Sequence, residues 1–319
     1  MPNHYSFVLP VYNEKETLPT LRERMARFLE TLDGTAEVIL VDDGSRDDSW
    51  EMMEAISRQD PRFKTLRLSR NFGHQIAITA GIDYATGAAV IVMDSDLQDP
   101  PEVVTEMIAK WKEGFAVVYG KRGKRIGETA FKKFTAHIFY RLLGSITEVD
   151  IPTDVGDFRL IDRTAVEALK AMREQARYVR GMVAWLGFTQ TAVEYTRDER
   201  FAGETKYPLR KMLRLAANGI VGFSSVPLRL IMTMGFFIAG ISFVAGATSL
   251  VLKIAGVYTV TGWASIIFAV FFMGGVQLVM LGVMGEYIGR IYDESKKRPL
   301  YFVRQANGFA IKPAWNVEP

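Results

Sequence analysis

Two carboxylates stand two residues apart at Asp94 and Asp96, directly after the apolar run Val90-Ile91-Val92-Met93. Gln98 adds an amide oxygen and Asp99 a third carboxylate. Such an all-oxygen set suits Mg²⁺ or Mn²⁺ beside a diphosphate, because these hard ions take one or two carboxylates and complete their shell with phosphate and water. The apolar run reads as a buried strand, and Pro100-Pro101 ends it and opens a helix. Ligands of open α/β sheets bind at the carboxyl ends of the strands. Asp94, Asp96 and Gln98 are therefore candidate ligands for a divalent metal. Acidic turns after strands are common, so the weight of this reading rests on the rest of the chain.

The elements that must position these groups can be read from periodicity. Ser6–Val11 reads as a strand running into Tyr12-Asn13-Glu14, and Val38–Val41 as a second strand ending on Asp42-Asp43-Gly44-Ser45. Between them, apolar residues at 18, 21, 25, 28, 29 and 32 have helical spacing. Asp47 or Asp48 is placed to cap a helix reaching about Gln59. Lys64–Leu68 predicts a third strand, and Asn71-Phe72-Gly73 a turn before a helix over 74–85. Ala88–Met93, a helix over 101–113 and a strand over 116–119 complete the pattern. Strands alternating with helices imply right-handed crossovers and a mostly parallel sheet covered on both faces. Three acidic or polar strand ends then meet on one edge, which argues for a cleft that takes a nucleotide sugar and a metal.

Three further stretches carry charge near that edge. Lys121-Arg122-Gly123-Lys124-Arg125 is a basic loop after the fifth strand, followed over 129–143 by an amphipathic helix suited either to the core or to an anionic membrane surface. Asp157 opens a short strand in Val155-Gly156-Asp157-Phe158-Arg159-Leu160-Ile161, where a carboxylate can face a sugar or simply belong to a turn. Arg200 and Lys206 flank Gly203, as in a loop that closes over a diphosphate.

Composition narrows the class. The chain has no cysteine, which removes disulfide, zinc-thiolate and cysteine-nucleophile chemistry, and its net charge of +3 is too small to suggest nucleic acid. No Gly-x-Gly-x-x-Gly follows the first strand and no Walker phosphate loop occurs. Tyr5–Val11 is too short for a signal peptide. Leu230–Leu252 and the run from Ile254 to Gly285 are uncharged and long enough to predict two membrane helices, at about 230–252 and 264–285, joined outside the cytoplasm. Arg210, Lys211, Arg214 and Arg229 precede this hairpin and Arg290, Lys296, Lys297 and Arg298 follow it, which puts both termini in the cytoplasm. The expected organisation is a cytoplasmic domain over 1–207, a juxtamembrane amphipathic segment over 208–229 along the inner leaflet, the hairpin over 230–285 and a cytoplasmic tail over 286–319. Localisation is expected in the plasma (inner) membrane.

With these pieces in place the chain resembles the polyprenyl-phosphate glycosyltransferases of the family-2, inverting, GT-A type. It is similar to bactoprenol glucosyltransferases and, more distantly, to dolichol-phosphate mannose synthases. The resemblance runs through Val8-Leu9-Pro10-Val11-Tyr12-Asn13-Glu14, Val41-Asp42-Asp43-Gly44-Ser45, Ser69-Arg70-Asn71-Phe72-Gly73, the Asp94–Pro101 stretch, Gly156-Asp157-Phe158-Arg159-Leu160 and Arg200–Lys206, and extends to the C-terminal hairpin. It implies that Pro10, Tyr12, Glu14 and Asp42 hold the nucleoside. Asp94, Asp96 and Gln98 would hold the metal and diphosphate, Arg122 the lipid phosphate, and Arg200 and Lys206 the donor phosphates. Asp157 stands at the position of the catalytic carboxylate. The Gln-x-x-Arg-Trp motif of processive synthases is absent, which favours single transfer.

The activity this implies is transfer of glucose from UDP-glucose to undecaprenyl phosphate with inversion, with Mg²⁺ or Mn²⁺ as cofactor, membrane lipids as surroundings and a homo-oligomer as the expected assembly. A GDP-mannose or modified UDP-sugar donor is the alternative within the same chemistry. A lipid-linked sugar transporter is disfavoured, because two spans without intramembrane charge offer no transport path. A non-catalytic sugar-nucleotide sensor would keep the metal residues without turnover.

Overall fold

The computed structural model describes residues 4–123, 155–196, 226–256 and 263–309. The chain divides into two units, one built on a sheet and one holding two long helices.

The sheet unit begins with β1 (His4–Val11), α1 (Leu18–Leu29), β2 (Thr35–Asp42), α2 (Ser49–Gln59), β3 (Phe63–Leu68), α3 (His74–Tyr84) and β4 (Ala89–Val92). A 3-10 turn at Pro101–Val103 leads into α4 (Val104–Lys112). Then come β5 (Val117–Arg122), β6 (Val155–Asp162), α5 (Arg163–Ala171), α6 (Val179–Trp185) and β7 (Gln190–Tyr195). The spatial order is β7-β5-β6-β4-β1-β2-β3, with a last strand, β8 (Val303–Asn307), at the far edge.

β1 pairs in parallel with both β2 and β4, and β2 with β3, so the carboxyl ends of these strands share one edge as the alternating pattern required. β6 departs from this direction and runs antiparallel to both β4 and β5. Its register sets Arg159 opposite Val92. Continued by two residues, that register brings the start of β6, with Asp157, level with Asp94. β5 pairs in parallel with β7, and its last residue, Arg122, stands opposite Tyr195.

Every residue of β1 from Tyr5 to Val11 is buried, because both faces of the sheet are covered. Tyr5, Phe7 and Leu9 join Val38 and Leu40 in one core with Leu21, Met25, Trp50, Met53 and Met107 from α1, α2 and α4. The alternate residues Val8 and Val41 meet α3. A side chain at Gly81 would come within 2.2 Å of Val8 Cγ1, so glycine is what lets this helix lie against the sheet.

β8 is a finding that periodicity did not give. The segment after the long helices returns to pair antiparallel with β3. Tyr301 donates its hydroxyl to Asp83 at 2.8 Å, and Arg173 grips the same carboxylate at 2.7 and 3.0 Å.

The helical unit contains α7 (Val226–Ile254) and α8 (Trp263–Ser295). Among the described residues one stretch, Ala269–Ser295, is long and apolar enough to cross a membrane, and the apolar part of α7, Leu230–Ala245, is shorter. Phe236, Phe243, Phe271 and Leu278 on these helices are each more than 70% exposed, a surface that calls for an apolar surrounding. The amphipathic stretch 129–143, the segment 208–225, the loop 257–262 and residues 310–319 lie outside the described residues.

Candidate active site

At the end of β1 the backbone turns at Asn13, which takes the left-handed conformation (φ 55°) that asparagine tolerates. Its N–H donates to Ser45 Oγ at 3.0 Å, and its Oδ1 accepts the N–H of Arg46 at 2.8 Å. The Glu14 N–H donates to Ser49 Oγ, and Thr17 donates to the Glu14 carboxylate. The ends of β1 and β2 are thus sewn together. The Pro10 carbonyl accepts from Ser95, and Tyr12 is 42% exposed at the mouth. Asp42 is fully buried, accepts the Ser45 N–H at 2.8 Å and faces Arg67 at 3.4 Å. Burial pushes its carboxyl up, against the pull of Ser45 and Arg67.

Asp43 does something different from its neighbour. Its two oxygens accept the N–H groups of Phe72 and Gly73 at 2.7 and 2.9 Å, tying the end of β2 to the start of α3. Gly44 allows this close approach. Its φ is 71°, and a Cβ there would lie 2.6 Å from the Arg70 and Asn71 backbone.

At the end of β4, Leu97 takes φ 61° while remaining 5% exposed. A leucine in that conformation is strained, and burial in the core holds it. The turn directs the Gln98 N–H to Asp96 Oδ1 at 3.1 Å. Asp99 points the other way: it is fully buried and accepts the Tyr195 hydroxyl.

Asp157 is 6% exposed and surrounded by donors. Arg180 donates Nε to Oδ1 at 2.8 Å and Nη2 to Oδ2 at 3.2 Å. Gln75 Nε2 donates to Oδ2 at 3.1 Å, and His74 Nε2 lies 3.1 Å from the same oxygen. His74 also lies 3.5 Å from Asp94, so one imidazole spans the two carboxylates. Burial alone would raise the Asp157 carboxyl, but the His74 hydrogen bond and the Arg180 charge outweigh it and hold the group well below the usual carboxylate range. Burial likewise opposes charge on His74, and the Asp157 hydrogen bond and the Asp94 charge reverse this and raise it. Asp94 is pushed up to about 6 by burial, with His74 pulling it down and the charges of Asp99, Asp157 and Asp96 adding to the rise.

Carboxylates crowded in this way favour a bound cation. Asp94 keeps a quarter of its side-chain surface open, so its oxygens remain reachable. Among the described residues no group of three or more His, Asp or Glu is arranged to hold a metal. Two carboxylates and an amide would leave the other positions to phosphate and water, the way Mg²⁺ is commonly bound. The residues present fit a divalent ion on those terms.

The fold thus gathers Asp94, Asp96, Gln98 and Asp157 on one edge, with Pro10, Tyr12, Glu14 and Asp42 on the adjoining strand ends. Arg122 ends β5 on that edge, while Arg200 and Lys206 lie outside the described residues. Sequence reasoning missed His74, Gln75, Arg180 and Asp43. A helix starting at His74, straight after the Asn71-Phe72-Gly73 turn that follows β3, was a usable signal for the first two. Nothing local marks Arg180, which reaches the site only through the packing of α6.

An open, mostly parallel α/β sheet with carboxylates at the carboxyl ends of its strands is the architecture of an enzyme that binds its ligand in that crevice. The sequence matches the model of "Glycosyl transferase family 2" over residues 6–170. It is 52% identical to the uncharacterized glycosyltransferase YkcC of Bacillus subtilis, over 97% of this chain and 95% of that one. It is 41% identical to the bactoprenol glucosyl transferase of Shigella phage SfV, over 94% and 97%. The crystal structure of S. aureus TarS 1–349 aligns with TM-score 0.44 at 17% identity, over 61% of this chain and 59% of that one. The chain belongs to glycosyl transferase family 2.

Proposed function

We propose that this enzyme transfers a hexose, glucose from UDP-glucose, to undecaprenyl phosphate at the cytoplasmic face of the membrane, using a GT-A-type domain. The observation that carries the reading is the meeting of Asp94 with Asp157 across the β4–β6 register, bridged by His74, on a chain 41% identical to a bactoprenol glucosyl transferase. Asp94, Asp96 and Gln98 would hold Mg²⁺ or Mn²⁺, which when bound would supply positive charge for the departing nucleoside diphosphate. Pro10, Tyr12, Glu14 and Asp42 seat the nucleoside, Arg200 and Lys206 close over its phosphates, and Arg122 meets the lipid phosphate.

A phosphate monoester has a second pKa near 6, so the acceptor is largely dianionic at neutral pH. Its oxygen attacks the anomeric carbon, the bond from that carbon to the diphosphate breaks, and UDP leaves with the electron pair. No proton need be removed. Asp157, held ionised, acts as a fixed negative charge beside the cationic anomeric centre and orients the acceptor. In-line attack converts an α-linked donor into a β-linked lipid product.

Chain connectivity supports a membrane hairpin. The sheet unit contributes β7 before α7 and β8 after α8. A chain that leaves one domain and returns to it crosses a bilayer an even number of times, so α7 and α8 serve as paired spans.

The test is transfer of radiolabelled sugar by membranes carrying the enzyme, with undecaprenyl phosphate and a panel of UDP- and GDP-sugars. Label moving from UDP-glucose to the lipid fraction supports the assignment. Transfer only from GDP-mannose or another UDP-sugar replaces the donor, and donor binding without transfer from any donor leaves a sensor.

A further inference from the structure

Asp157 holds more donors than an acceptor-orienting carboxylate requires, and their arrangement is lopsided. Among the described residues, Oδ2 carries Gln75, His74 and one Arg180 nitrogen, whereas Oδ1 carries only Arg180 Nε. Oδ1 therefore keeps a lone pair for a further partner. Arg180 touches both oxygens with two nitrogens of one planar fork, which fixes the carboxylate's rotation about its Cβ–Cγ bond. The fork is itself anchored. Gln75, which donates to Asp157, accepts the N–H of Val179 at 2.9 Å through its Oε1. Val179, Met182 and Val183 bury one face of α6. Asp157, Gln75, Val179 and Arg180 thus close a ring that joins β6, α3 and α6. Arg159, 4% exposed and two residues along β6, donates to the Gly156 carbonyl and adds a second cation nearby.

We propose that Arg180 is a positioning residue of the transfer reaction: from α6 it locks the rotation of the Asp157 carboxylate and presents Oδ1 to the reacting centre. This rests on the reading that Asp157 acts at that centre. Lysine cannot reproduce the lock, because an ammonium is a point charge without a fork.

The experiment compares full-length Asp157→Asn, Arg180→Met, Arg180→Lys and the Asp157→Asn/Arg180→Met double variant. Steady-state kinetics, calorimetric UDP-sugar binding and thermal unfolding are measured for each. Arg180→Met should lower kcat by roughly 10²-fold, the scale of a misplaced catalytic group, with donor affinity unchanged. Arg180→Lys should recover part of that loss. The double variant should be no slower than Asp157→Asn alone, since residues acting as one unit are non-additive. Losses that multiply would mean that Arg180 acts on substrate independently, and the proposal falls. Weakened donor binding with kcat kept would make Arg180 a diphosphate ligand and overturn it as well. If Arg180→Met does not fold, Arg180→Lys with wild-type kcat rejects the lock and a lowered kcat at unchanged donor affinity upholds it. An active Arg180→Met beside an inactive Asp157→Asn removes Arg180 alone. A fully active Asp157→Asn removes the reading of Asp157 and the lock with it.

Discussion

Replacing Asp43 by asparagine tests how the site is held. Its carboxylate accepts the N–H groups of Phe72 and Gly73 at 2.7 and 2.9 Å while 3% exposed. Hydrogen bonds to a charged group contribute about 1.5–3 kcal/mol each, and neutral ones about 1. Asparagine keeps one acceptor, now neutral, and turns an amide donor toward the other N–H. Two opposing effects reduce the loss. Phe72 and Gly73 are only half-buried, and burial already disfavours the Asp43 charge. The net cost is about 2–3 kcal/mol, which for a unit of this size lowers Tm by about 5–10 °C. Because the same bonds fix the first turn of α3, His74 and Gln75 shift against Asp157, and kcat should fall roughly tenfold or more. Thermal unfolding and transfer assays on the purified variant measure both. A Tm within about 1 °C of wild type together with unchanged kcat would refute the staple.

Chelation with EDTA should abolish transfer, and Asp96→Asn should lose roughly 10²-fold, with calorimetric Mn²⁺ binding lost alongside; full activity in EDTA would remove the metal. A cysteine replacing Thr259 should react with an impermeant thiol reagent in intact cells, whereas one replacing Arg58, whose side chain is 77% exposed, should not; the reverse labelling would overturn the orientation. Tyr301→Phe removes one donor from Asp83 and should cost about 1 kcal/mol of stability, seen as a lower Tm; no change would detach the C-terminal return from the stability of the sheet. Asp157 lies below the ordinary carboxylate range and so stays ionised as pH falls through neutrality, adding no acid limb. The kcat profile should instead follow the acceptor phosphate near pH 6, and a limb that moved with metal concentration would assign it to Asp94.

The sequence by itself determined much of the fold. Apolar runs of strand length alternating with amphipathic helices require crossovers and a parallel sheet, and that places Asn13, Asp42 and Asp94 on one edge. Tertiary structure decided what lies opposite them. The strand that holds Asp157 could have run either way, and only its antiparallel pairing with β4 and β5 sets Asp157 level with Asp94. Asp42 and Asp43 are indistinguishable as a dipeptide, yet the pleat sends one toward Arg67 and the other to the start of α3. Asp99 is a third carboxylate beside Asp94 and Asp96 in the sequence, but the turn at Leu97 buries it against Tyr195. Arg180 and β8 had no local signature, because each acts on residues far away along the chain. Periodicity reports which face of an element is apolar. It carries no record of which distant partner that face will meet, and here those partners hold the site.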